Sequence, residues 1–127
     1  FLFENLINVN KNNFTLCARI PDSKVPSKLL VAPCFLPNIF GGDYWVIDVG
    51  PSIDNYEWAI VSGGQPNIKY NDGCTTSTSK VNHAGLWLFT RQQNPTNRLI
   101  NYMLNKTKEK GFTLQKLNKV TQKGCVY

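Results

Sequence analysis

The sequence predicts a mainly β fold, an up-and-down antiparallel meander followed by one packed C-terminal α-helix. Short runs of alternating apolar residues fill the chain to about residue 91. Turn residues separate those runs, and after Asn94-Pro95 the apolar spacing changes from two-residue to helical. The 127 residues suit one domain with a single modest core. With 42% hydrophobic and 17% charged residues, disordered, collagen-like and coiled-coil classes are excluded. No internal repeat or linker interrupts the chain, so residues 1–127 read as one unit.

Each element has a local reason. Phe1 to Val9 alternates, with Phe1, Phe3, Ile7 and Val9 on one face and Leu2 and Leu6 on the other. Lys11-Asn12-Asn13 reads as a turn and Phe14 to Ile20 as a second strand. Pro21 and Pro26 bracket a loop before the third run, Lys28 to Pro33, which the Pro- and Gly-rich stretch Cys34 to Gly42 ends. Tyr44 to Val49 and Trp58 to Ser62 form a hairpin whose connection, Gly50 to Asn55, is too long for a two-residue turn. Gly63 to Ala84 is polar, rich in Thr and Ser, and reads as a long loop of the kind that is functional or mobile. Leu86 to Thr90 is the last strong strand. Asn94-Pro95 supplies an N-cap and first helical residue. Leu99, Ile100, Met103 and Leu104 make the buried stripe, and Gly111 stops the helix. A short strand around Lys119 to Gln122 leads to Cys125.

The charge balance, 14 basic against 8 acidic residues, gives +6. Much of it comes from Lys106, Lys108, Lys110, Lys116, Lys119 and Lys123, a pattern of a solvated helix face and tail. No RNP-type strand, helix-turn-helix or zinc-finger spacing accompanies them, so nucleic acid is not an expected partner. No apolar run approaches the ~20 residues of a membrane helix. Cys17, Cys34, Cys74 and Cys125 contain no C-x-x-C pair, and His83 is the only histidine, which argues against a metal site. Four cysteines allow three pairings, and their even number points to an oxidising compartment. The sequons at Asn13 and Asn105 fit a secretory route, whether extracellular, endoplasmic or the lumen of a plastid. Asp43, Asp48 and Asp54 invite an acid–base reading, but turn carboxylates more often bond backbone amides, and His83 reads as a surface residue. No nucleophile–base pair is legible, so no catalytic residue is assigned.

Several segments then resemble the lipocalin (calycin) family. Asp43 to Asp48 followed by Tyr56 to Val61 is similar to that family's F and G strands with their turn. Gly85-Leu86-Trp87-Leu88-Phe89-Thr90-Arg91 resembles the H strand closing on an arginine. The helix, Gly111-Phe112, Leu117, Gln122 and Cys125 follow at the spacing of the lipocalin tail. On this resemblance Phe1 to Asn10 falls on strand C, Phe14 to Ile20 on D and Lys28 to Pro33 on E. The Gly-x-Trp strand A and strand B have no counterpart. About six strands remain, fewer than the ~8 with which such a barrel closes. The expectation is an incomplete barrel, open between the first strand and Leu86 to Arg91, or filled there by another chain or an upstream segment.

A closed barrel of this kind encloses one small ligand. Taking Trp87 as inward, as the resemblance implies, Trp87 and Phe89 face the cavity and Leu88 faces the helix. Matching the other strands adds Tyr44, Val46, Ala59, Val61, Leu29, Val31, Leu16, Ala18 and Ile20, with Phe1, Phe3, Ile7 and Val9 from the first strand. Arg91 takes the structural place of the arginine that stacks on the strand-A Trp in complete lipocalins. Strand topology in that frame pairs Cys34 with Cys74 at the mouth and the outward Cys17 with the tail Cys125. The implied function is carriage of a small hydrophobic molecule (fatty acid, retinoid, sterol, pigment or oxidised lipid), with no other cofactor. Two alternatives stay open: a docking subunit of a larger assembly, with a protein partner supplying the missing strands, and a lipocalin-fold enzyme.

Overall fold

A computed structural model of the chain describes Leu2, Phe3 and residues 15–126. Among these described residues, nine strands and one α-helix run in the order β1 (Leu2–Phe3), β2 (Leu16–Arg19), β3 (Lys28–Pro33), β4 (Gly42–Pro51), β5 (Tyr56–Ser62), β6 (Ile68–Tyr70), β7 (Gly73–Thr75), β8 (Leu86–Thr90), α1 (Asn97–Glu109) and β9 (Asn118–Lys119). A 3-10 turn, Asn38–Phe40, lies between β3 and β4. Seven strands form one antiparallel sheet in the order β2-β3-β4-β5-β8-β1-β9. Among the described residues no pairing joins β9 back to β2, and no closed barrel is formed among them.

The first strand is not where the resemblance puts it. Leu2 and Phe3 pair with Leu88 and Trp87 on one side and with Lys119 and Asn118 on the other. The expected gap beside Leu86–Thr90 is therefore occupied by this chain's own start, and the assignment of that segment next to β2 is overturned. Alternation identifies a strand but carries no information about its neighbour, which long-range pairing decides. Leu2–Phe3 is flanked on both sides, by β8 and β9. Phe1, Ile7, Val9 and Asn13 lie outside the described residues.

One face of the sheet is sealed by the helix. Trp58, Ile60, Leu86 and Leu88 pack with Met103 of α1 and with Phe112 just beyond it, and Ile47, Leu99, Leu104 and Leu117 close the margins. These residues are the outward parity of β5 and β8, so Leu88 faces the helix as expected. The helix starts later than Asn94-Pro95 implies. Thr96 is the N-cap, its Oγ1 accepting from the Leu99 backbone N–H at 3.2 Å, while Pro95 precedes it. Thr107, fully buried, donates to the Met103 carbonyl at 2.8 Å. Gly111 ends the helix at φ +89°, a conformation glycine takes without a Cβ clash.

Gly63 to Ala84 is not one loop. It holds the β6–β7 hairpin, turned at Asn71-Asp72, with Tyr70 opposite Gly73. Cys74 accepts from Thr113 N–H at 2.9 Å and donates its own N–H to the Gly111 carbonyl at 2.8 Å. Thr113 Oγ1 donates to Asp72 Oδ1 at 2.6 Å. A Cβ on Gly73 would stand 2.7 Å from the Gly111 carbonyl oxygen, so the hairpin needs glycine there to reach the helix exit. The last strand is also displaced, to Asn118–Lys119 rather than Lys119 to Gln122.

The disulfide pattern corrects the sequence reading. Cys17 is bonded to Cys34, with Cα atoms 4.9 Å apart, and Cys74 and Cys125 are free. The pairs Cys17–Cys125 and Cys34–Cys74 are therefore wrong. In the β2–β3 ladder Cys17 stands opposite Ala32, and Cys34 N–H donates to the Thr15 carbonyl at 3.1 Å. Ladder bonding thus runs past Pro33 and keeps Cys34 on the same face as Cys17, diagonal to it. Cys34 still belongs to the β2–β3 ladder rather than to the barrel mouth.

Candidate functional site

The face opposite the helix is built by the other parity of the same strands. Ala18 is opposite Val31, Leu29 opposite Tyr44, Val46 opposite Val61, and Ala59 opposite Phe89. Trp87 is opposite both Val61 and Phe3. Cross-strand partners share a face, so the members of the expected inward set from β2, β3, β4, β5 and β8 lie on one side of one sheet. A register shift between Val46 and Asp48 adds Val49 to it, opposite Ala59.

A hollow of about 510 Å3 sits on this face. Tyr44, Val46, Ala59, Val61 and Phe89 line it as the sequence implied. Pro26, Ser27, Val49, Ile53 and Tyr56 complete the wall and were not foreseen. Val49 was missed because a bulge reverses parity. The others come from the β2–β3 and β4–β5 connections or a strand end, where alternation says nothing; the exposed Ile53 in a polar turn was the one available signal.

The remaining inward candidates are spread along the same face, outside this hollow. Leu29 and Val31 are half-buried on β3. Leu16 and Ile20 keep 56% and 53% of their surface at the β2 edge, and Ala18 between them is exposed too. Trp87 stacks on Tyr44 with ring centroids 6.3 Å apart and planes at 22°. Its indole also lies over Gly85, where a Cβ would meet it at 2.4 Å. The stacked pair forms a floor beside the hollow. Burial raises the Tyr44 hydroxyl above its ordinary 10.0, and the neighbouring Tyr56 charge adds to the effect. Tyr44 therefore presents a neutral O–H donor at a mostly apolar wall.

Arg91 does not face a vacant tryptophan place. Its guanidinium lies 4.8 Å from the Tyr56 ring centroid, and Nε donates to the Tyr56 carbonyl. A smaller hollow of about 120 Å3 lined by Glu57, Trp58, Thr90 and Arg91 shares Tyr56, Ala59 and Phe89 with the larger one. Arg91 thus closes the β4–β5 end of the concave face by a cation–π contact within this chain.

His83 is exposed, as expected, but not isolated. It adopts φ +60° and its Nδ1 contacts Asp43 Oδ2, tying the end of the long segment to β4. Asp48 Oδ1 accepts from Val49 N–H at 3.0 Å, the turn-carboxylate role assigned to it, and Oδ2 pairs with Lys110 at 3.3 Å. Asn105 is exposed on α1. Among the described residues no three His, Cys, Asp or Glu side chains converge as metal ligands, and no helix is long and apolar enough to cross a membrane. No family model, curated protein or solved structure matches this chain.

Proposed function

We propose that this chain is a lipocalin-like carrier that binds a small hydrophobic molecule against the concave face of its sheet. The observation that carries the reading is the apolar hollow of about 510 Å3 on the face the helix leaves uncovered. Its wall is aliphatic and aromatic, with the phenols of Tyr44 and Tyr56 and the Ser27 hydroxyl as orienting groups. The adjacency of β3, β4, β5 and β8, the arginine just after β8, and a helix packed on the outer face support the lipocalin likeness. The disulfide supports an oxidising compartment.

A docking-module reading draws on a different observation, the exposure of Leu16 and Ile20 at the β2 edge of the described sheet. Titration with a fluorescent polyene fatty acid, retinol and a carotenoid separates the two. A carrier binds at least one with submicellar affinity, and Phe89→Ala, which truncates an aromatic wall of the hollow, weakens that binding by roughly 1–3 kcal/mol through lost stacking and area. Failure of all three probes to bind would leave the docking reading in possession.

A further inference from the structure

The connection between β3 and β4 is an unusual piece of surface. Cys34 to Gly42 contains no charged residue, yet Phe35, Ile39 and Phe40 keep 73%, 84% and 55% of their surface exposed. Single exposed apolar residues are ordinary, but several large ones grouped on one loop mark a contact surface.

The loop is held in that shape rather than collapsed onto the protein. Its first residue is fixed by the Cys17–Cys34 disulfide. Arg19 Nη1 donates to the Leu36 carbonyl at 2.8 Å and to Asn38 Oδ1 at 3.0 Å, and Nη2 donates to the Cys34 carbonyl at 3.0 Å. Three backbone turns, Leu36 N–H to Pro33 O, Phe40 N–H to Pro37 O and Gly41 N–H to Asn38 O, brace the loop further. Each backbone group bonded within the protein lowers the cost of bringing the loop to the headgroup–acyl boundary, where the remaining groups still meet water and headgroups.

A second apolar point stands beside it. Asn82 Oδ1 lies 3.0 Å from where a Gly42 Cβ would be, and His83 contacts Asp43, so the Lys80-Val81-Asn82 tip meets the start of β4. Val81 is 79% exposed there, with Lys80 next to it. Asp43, the nearby carboxylate, is engaged by His83. The patch is therefore apolar at its centre, cationic at Lys80, and part of a chain of net charge +6.

We infer that this end of the molecule docks on an anionic lipid surface, with Ile39 and Phe40 entering the headgroup–acyl boundary and Lys80 meeting the lipid phosphates. Apolar side chains plus a positive rim are the two terms that add in interfacial binding. A protein groove would need a shape-matched concavity, whereas a bilayer accepts protruding side chains of this kind. The inference stands apart from the proposed carrier role, since neither Ile39 nor Phe40 lines the hollow.

The test is co-sedimentation of the full chain with vesicles of phosphatidylcholine alone and of phosphatidylcholine mixed with phosphatidylglycerol. Binding is expected to the mixed vesicles and to fall with added salt. An Ile39→Ser/Phe40→Ser double variant should lose about tenfold or more in partitioning, while Val126→Ser, an exposed aliphatic residue outside both the patch and the hollow, leaves it unchanged. An Ile39→Trp variant should show a blue-shifted emission on mixed vesicles. Unaltered thermal melts establish that the variants fold. The inference is overturned if the parent chain does not sediment with mixed vesicles, or if the double variant sediments equally well. It is also overturned if the double variant instead abolishes self-association by light scattering, which would make a second copy the occupant.

Discussion

On the helix side of the sheet Ile60 and Leu88 retain 0% and 1% of their surface, while on the other side Phe89 retains 39% and Leu16 56%. Leu88 and Phe89 are consecutive residues of one strand, equally apolar, and differ only in which way the pleat points them. The amphipathic α1, with Met103 at its centre, covers one face, and nothing of comparable size covers the other among the described residues. The second face is also graded: Val61 at the middle is 1% exposed, and exposure rises toward β2. Folding energy is concentrated where the helix docks, and the open face keeps apolar surface available for a ligand.

The comparison is most directly broken by truncating both neighbours. Leu88→Ala removes a fully buried side chain and leaves a cavity, so it should destabilise by about 2–5 kcal/mol in denaturant melts. Phe89→Ala, despite deleting more atoms, should cost roughly 1–2 kcal/mol because part of that ring is already in water. Equal costs would mean that the concave face is a second core and that the hollow is packing space.

The disulfide sharpens the contrast at the exposed end of the sheet. Among the described residues β2 pairs only with β3, and Leu16, Ala18 and Ile20 contribute little burial. Its attachment therefore leans on Cys17–Cys34, which closes a loop of 17 residues in sequence separation. Loop-closure arguments give about 3 kcal/mol for such a bond. A Cys17→Ala/Cys34→Ala variant should lose hydrogen-exchange protection in β2 first, with β5 and β8 retaining theirs. Simultaneous loss in all three strands would show that the sheet unfolds as one unit irrespective of what covers it. Peptide mapping under non-reducing conditions should find Cys17 joined to Cys34 and free thiols at Cys74 and Cys125.

What the sequence disclosed divides along the range of the interactions involved. β3 and β8 have the bounds read from alternation, and the helix stop at Gly111 follows from a single residue's conformational freedom. The two faces were legible because parity survives from strand to strand, so Tyr44, Val46, Ala59, Val61 and Phe89 reach the same hollow. Three things were not legible. The place of Leu2–Phe3 beside β8 depends on contacts with residues more than eighty positions away. The β6–β7 hairpin is held by Gly111 and Thr113, across the helix, and its Asp72-Gly73 turn signal was lost in a Thr- and Ser-rich run. The bulge at Ile47 reversed parity, which hid Val49.

The finest distinction between the faces is ionic. Of the groups on the concave side, Tyr44 has its hydroxyl raised above 10.0, by burial first and by the Tyr56 charge second. In the folded chain this phenol therefore holds its proton at a pH where the unfolded chain releases it. The stability that its burial contributes is present in full below the unfolded value. It is lost as pH rises through the higher folded value, because the unfolded state then binds fewer protons. Melts above pH 10 should fall more steeply in the parent chain than in Tyr44→Phe, which has no proton to lose there. Tyr56→Phe removes the secondary cause and should lower the Tyr44 midpoint, followed by tyrosinate absorbance, without returning it to the ordinary value. An apolar ligand seated on the concave face desolvates the same hydroxyl further and should push that midpoint up again. A midpoint unmoved by a ligand that demonstrably binds would place that ligand elsewhere on the molecule, and Tyr44 would then be a wall of the hollow without being part of the binding site.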